Sequence, residues 1–194
     1  MLKRLLIACA GIALLAGAAY AGVPCAGTST VTAYATGDCA PDAAVCPNGD
    51  YDIVTVDVNV KDCYGANLGG RTVTVYPDPL DVAHCFCPGY EAEVGVTDGN
   101  GDMSVQFARF GGCGNLAWYA DSEGITLGPS AAIYIASYDN NGDCQVNLSD
   151  FINFANIYFT ADTCNDYNCD GIVNLSDFIN FANHYFHDCD SPNP

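Results

Sequence analysis

Twenty-one residues of this chain are written almost unchanged a second time: DNNGDCQVNLSDFINFANIYF begins at residue 139 and DYNCDGIVNLSDFINFANHYF at residue 166. Counted from its first aspartate, each copy places oxygen-bearing side chains at positions 1, 3, 5, 9 and 12. These are Asp139, Asn141, Asp143, Asn147 and Asp150, then Asp166, Asn168, Asp170, Asn174 and Asp177. A hard divalent cation takes about six to eight oxygens, and a twelve-residue turn brings alternate side chains to one centre. Position 7, Gln145 or Ile172, needs to supply only its backbone carbonyl, so its side chain is free to differ. The spacing therefore predicts two Ca2+ ions, one per loop, each facing three carboxylates. Without the ion those like charges repel, so calcium is expected to order residues 139–187.

After each loop the apolar residues change to a helical period: Phe151, Phe154, Ala155 and Tyr158, repeated as Phe178, Phe181, Ala182 and Tyr185. One such stripe is too small to be buried alone, so the two helices are expected to pack on each other near-symmetrically. Turn geometry predicts that the loops differ. Position 6 favours glycine; loop 2 supplies Gly171, but loop 1 supplies Cys144, so loop 2 is expected to bind calcium more tightly unless a disulfide holds Cys144 in place.

The start of the chain, MLKRLLIACAGIALLAGAAYA, has two cations, an apolar run and small residues at Ala19 and Ala21. It reads as a secretory signal peptide over residues 1–21, and the run is too short to span a bilayer. Beyond it, only Lys61, Arg71 and Arg109 stand against 23 acidic residues, a balance that repels nucleic acid and anionic lipid and attracts cations. Eleven of the twelve cysteines remain after cleavage, which implies a disulfide framework formed in an oxidising, extracellular compartment. The number is odd, so one thiol is either free or available for an intermolecular disulfide.

Residues 22–137 alternate with period two at 53–60, 71–76, 103–107, 116–120 and 132–135, with turn signals between them at Asn48-Gly49, Gly69-Gly70 and Asp98-Gly99-Asn100-Gly101. Short strands at this spacing predict an antiparallel β-sandwich, and a mainly β protein overall. Asp98, Asn100 and Asp102 imitate the start of a calcium loop, but Arg109 occupies the twelfth place, so a turn is the better reading. His84-Cys85-Phe86-Cys87 is expected to form disulfides rather than bind zinc, and Trp118 to lie in the sandwich core.

Two resemblances extend this reading. VDVNVKDCYGANLGGRTVTVY and VGVTDGNGDMSVQF resemble the bacterial immunoglobulin-like domains of surface proteins, which implies an immunoglobulin-like sandwich over residues 22–137. The tandem D-x-N-x-D-x-x-V-N-x-x-D pattern, with a helix after each loop but none before it, resembles the dockerin family over residues 139–186. The chain as a whole would then be mainly β, an immunoglobulin-like sandwich followed by a small α-helical calcium module over 138–194. The dockerin resemblance implies calcium at the positions above and a cohesin-like or other extracellular protein as partner. It also implies partner contacts at Leu148, Ser149, Leu175 and Ser176. Loop 1 departs from the family at Cys144, and the helices lack the basic residues often used against cohesin.

No nucleophile elbow, phosphate-binding glycine loop or zinc-protease motif is written in the chain, and no catalytic residue is assigned. His184 and His187 fall at a helix end, where solvation or the helix dipole accounts for them. The expected function is that of an exported, non-catalytic interaction protein docked through its calcium module. The alternatives are a calcium-stabilised structural subunit of a surface assembly with no cohesin partner, or a carbohydrate-binding module.

Overall fold

The computed structural model describes residues 22–37, 39, 42–78 and 83–191; the leader expected over residues 1–21 lies outside them. In chain order the strands are β1 (Thr30–Ala35), β2 (Ala43–Val45), β3 (Val54–Asn59), β4 (Thr72–Pro77), β5 (His84–Phe86) and β6 (Glu93–Val96). They continue as β7 (Asp102–Phe107), β8 (Phe110–Gly112), β9 (Gly114–Leu116), β10 (Trp118–Ser122), β11 (Ile125–Leu127) and β12 (Ile133–Ser137). Two helices follow, α1 (Leu148–Asn156) and α2 (Leu175–His184). The protein is mainly β with a small helical part, and no helix among the described residues is long and apolar enough to cross a membrane.

Two antiparallel sheets, β1-β3-β7 and β11-β10-β4-β6, carry the period-two sequences. Val54, Val56 and Val58 of β3 are buried while Thr55, Asp57 and Asn59 are not, and Val73 and Val75 of β4 alternate in the same way. The inward residues of both sheets meet in one core around Trp118, Phe107 and Leu127. Fully burying each such side chain stabilises by about 1.5–3 kcal/mol, which is why the alternation fixes which face turns inward. Trp118 is fully buried, as its alternating strand predicts, and Asp98 caps a turn between β6 and β7 by accepting the N–H groups of Asn100 and Asp102.

The structure differs from the sequence pattern at residues 116–120. That run is not one strand: β9 ends at Leu116 and pairs with β12, whereas β10 starts at Trp118 and pairs with β4 and β11. The change of sheet occurs at Ala117, whose carbonyl accepts the Asp78 N–H, while the Trp118 N–H goes to Ser130 Oγ. β12 also pairs in parallel with β2, the one parallel pairing between the strands described.

A second core crosses the 137/138 boundary expected from the sequence. Ala44, Cys46, Ala136 and Tyr138 pack with Val146, Phe154, Tyr167, Val173 and Phe181. The helices do pack on each other as their stripes require, with Phe154 stacked on Phe181 at 5.6 Å. Disulfides reinforce the junction. Cys25–Cys63 lies within the β region, but Cys39–Cys169, Cys85–Cys144, Cys87–Cys189 and Cys113–Cys164 each join it to the part of the chain that carries the repeats. Both cysteines of the His84-Cys85-Phe86-Cys87 stretch are thus in disulfides. The odd thiol is Cys46, which is 1% exposed and so is not presented to another chain.

Candidate metal centre

No helix leads directly into either loop: β12 leads into loop 1, and residues 160–165 lead into loop 2 without strand or helix. Within each loop the three aspartates converge. Carboxylate oxygens of Asp139, Asp143 and Asp150 lie within 4.8 Å of one another, and so do those of Asp166, Asp170 and Asp177. Backbone N–H groups aim at the same oxygens in both loops. Asp139 accepts from Asp143 and Cys144, and Asp166 accepts from Asp170 and Gly171 at the equivalent places. Asp150 accepts from Asn141 and Asn147, and Asp177 from Asn168 and Asn174.

This gathering has an electrostatic cost. Burial pushes the Asp139 carboxyl up to about 7, and burial also raises Asp150 and Asp177 above the usual carboxylate range. Exposed Asp170 is instead held low, first by the Asn168 amide and then by the Ile172 N–H. Three carboxylates in so small a space, two of them buried in each loop, are a donor set that suits a hard cation.

Asn147 and Asn174, expected among the metal ligands from spacing, are each also the N-cap of the following helix. Their Oδ1 atoms accept the Ser149 and Ser176 N–H groups at 2.8 Å. The Asn174 amide nitrogen, not its oxygen, meets Asp170 Oδ2 at 3.0 Å. Asp150 and Asp177 close the reciprocal half of each capping box, so one carboxylate both joins the cluster and starts a helix. N-L-S-D ahead of an apolar run carried this signal in the sequence.

One expectation changes, and it concerns turn geometry. Loop 1 has positive φ at Gly142 (71°) and Cys144 (65°), and loop 2 at Cys169 (55°) and Gly171 (93°). Each loop therefore needs the left-handed conformation at positions 4 and 6, and each meets it with one glycine and one cysteine, in opposite order. The expected advantage of loop 2 from Gly171 is cancelled by the same strain at Cys169. Cys144 is indeed in a disulfide, and so is Cys169.

Asn141 and Asn168 hold equivalent places, their Oδ1 atoms accepting the Asp143 and Asp170 N–H groups. At position 7, the carbonyls of Gln145 and Ile172 accept the amide nitrogens of Asn147 and Asn174. At position 8, Val146 pairs through its backbone with residues 186 and 187, and Val173 with 159 and 160. Each loop is thereby tied to the segment that follows the opposite helix.

On the far side of the helices, Leu148, Ser149, Leu175 and Ser176 are all exposed. Leu148, Phe151, Phe178 and Tyr185 line one apolar groove, and Leu175, Phe178, Phe151 and Tyr158 line another related by the 27-residue repeat. His184 departs from its expected solvated place: it is 6% exposed, stacked on Tyr138 at 4.0 Å, and burial lowers its pKa to about 4. In comparisons with known proteins, no family model and no curated protein matches the chain.

Proposed function

We propose that this is an exported, non-catalytic calcium protein whose dockerin-like module, fixed to an immunoglobulin-like β-sandwich, binds two ions and docks onto an extracellular, cohesin-like partner. The observation that carries the reading is the pairing of two equivalent carboxylate clusters with two equivalent apolar grooves on the helices that those clusters start. Asp139, Asn141, Asp143, Asn147, Asp150 and the Gln145 carbonyl would hold one ion; Asp166, Asn168, Asp170, Asn174, Asp177 and the Ile172 carbonyl would hold the other. Bound calcium supplies the counter-charge that keeps each cluster together. Asp150 and Asp177 then start α1 and α2, and the helix pair presents Leu148 and Leu175 outward. The five disulfides and the signal-like leader sequence support an extracellular setting.

The test is capture of envelope-fraction proteins by the oxidised full chain. Retention should require calcium and be lost in a Leu148→Glu/Leu175→Glu variant that still binds both ions. Capture indifferent to chelation and to that variant would count against docking. A second reading, a calcium-stabilised structural subunit without such a partner, is favoured by the four disulfides and the shared core that fix the repeats to the β region. It expects calcium to raise the melting temperature while the helix face captures nothing.

A further inference from the structure

One cluster of metal-ligating side chains lies outside the two loops. Cys46, the one free thiol among the described cysteines, sits in the second core with His184 and His187, and their ligand atoms all lie within 4.8 Å of one another. His184 Nδ1 and His187 Nδ1 are 3.3 Å apart, Cys46 Sγ is 3.7 Å from His187 Nδ1, and Asp50 Oδ2 is 3.7 Å from His184 Nδ1.

We propose that Cys46, His184 and His187, with water in the fourth place, form a binding site for one zinc ion, separate from the calcium loops. Nitrogens held at zinc distance from a tetrahedral centre stand ~3.3–3.4 Å apart, and a sulfur stands ~3.6 Å from a nitrogen. Two of the three separations, His184 to His187 and Cys46 to His187, are close to these edges, and the third is within 4.8 Å. A hydrogen bond between the two rings accounts for one contact only; it does not bring the unpaired thiol within 4.8 Å of a ligand nitrogen of each ring. Thiolate with imidazole suits zinc and not calcium or magnesium, which take oxygen donors, so this site and the loops select different ions.

The local structure holds the donors in place from several directions. Cys46 directly follows β2 and starts a turn in which its carbonyl accepts the Gly49 N–H. His184 closes α2, its ring stacked on Tyr138 and met edge-on by Tyr51 at 5.6 Å. His187 follows one turn later, fixed by the Val146 N–H to its carbonyl, and is only half-buried, so an ion has a way in. On binding, the Cys46 thiol gives its proton to buffer and a sulfur–zinc bond forms; nothing is oxidised or reduced. Sequestering this thiol also keeps it out of exchange with the protein's disulfides.

The experiment uses the full oxidised chain saturated with calcium, so that the loops are occupied. Cobalt(II) should bind at one equivalent with a thiolate-to-cobalt charge-transfer absorption and the intense visible bands of a four-coordinate ion, and zinc should displace it. Cys46→Ser should abolish the charge-transfer band. His187→Ala, at a half-exposed position that the fold tolerates more readily, should weaken zinc by on the order of 100-fold, since even the groups behind a ligand cost ~10–100-fold. The calcium titration should be the same in both variants. No cobalt or zinc binding by the calcium-saturated chain, or binding with the same spectrum and affinity in His187→Ala, would overturn the site.

Discussion

Loop 1 and loop 2 gather the same carboxylates through the same backbone contacts, yet they build the turn from opposite residues. Positions 4 and 6 both need positive φ. Loop 1 has Gly142 then Cys144, and loop 2 has Cys169 then Gly171. A side chain in that conformation costs about 1–2 kcal/mol, so neither cysteine is there for local reasons. Each reaches a neighbour in the β region, Cys144 to Cys85 on β5 and Cys169 to Cys39. A strained turn position thus becomes a point of attachment, and the position used is the one the neighbouring cysteine can reach.

The loops also differ in what surrounds them. Loop 1 is seated on the β region: the Gly112 N–H donates to the Asp139 carbonyl, and a Cβ on Gly111 would collide with Asp139 Oδ2. Gly171 of loop 2 has open space around it. The two sites should therefore respond together to changes in shared chemistry and separately to changes in their surroundings. The largest effect is expected from the shared carboxylates. Asp150→Ala and Asp177→Ala should each remove one site, by about 3 kcal/mol or more, which is about 150-fold, because a buried partner of the ion is lost together with a helix cap. Calorimetric calcium titration should then show the other site within a few-fold of its original affinity. Loss of both sites from either change would make the loops one cooperative unit and end the comparison.

Next in size is Gly111→Ala. The added methyl must displace Asp139, and overpacking of this kind costs about 1–3 kcal/mol, or about 5- to 150-fold in affinity. The loss should fall on loop 1 alone. An equal loss at both sites would mean that Gly111 matters to the whole junction and not to Asp139.

Removing the staples should have a smaller effect. Cys85→Ser with Cys144→Ser leaves a non-glycine residue at positive φ without its cross-link, and should weaken loop 1 by about 5- to 30-fold. Cys85→Ser with Cys144→Gly should recover most of that loss, since glycine adopts the turn freely. The matching pair of variants at Cys39 and Cys169 should behave alike in loop 2. If glycine fails to rescue either loop, the disulfide is holding the loop on the β region and not merely holding the turn.

Much of this was legible in the sequence because it depends on local chemistry. The convergence of the carboxylates, the absence of leading helices, the helix stripes and the buried Trp118 follow from periodicities that a few neighbouring residues set. What was hidden depends on distant partners. Nothing in DNNGDC or DYNCDG says which cysteine Cys144 or Cys169 will meet, and connectivity is not encoded by spacing. His184 looked solvated because its helix ends there, but Tyr138 from the end of β12 covers it. The capping roles of Asn147 and Asn174 were local and readable; a calcium pattern that explained the same residues concealed them.

The smallest effect should come from the outer faces of the helices, where the two repeats are most alike. Leu148 and Leu175 are 59% and 60% exposed and sit at equivalent places on the two grooves. Substitutions at surface positions without buried partners usually stay within about 0.5 kcal/mol, so Leu148→Glu and Leu175→Glu should each leave denaturant midpoints and both calcium affinities almost unchanged. Their effect should appear only in partner capture, where one groove lost leaves the other and both must be changed to abolish retention. A stability loss above about 1 kcal/mol at either position, measured by chemical denaturation, would mean that the leucine packs on its own chain. The apolar face would then belong to the fold of the module, and the structural reading would gain over the docking one.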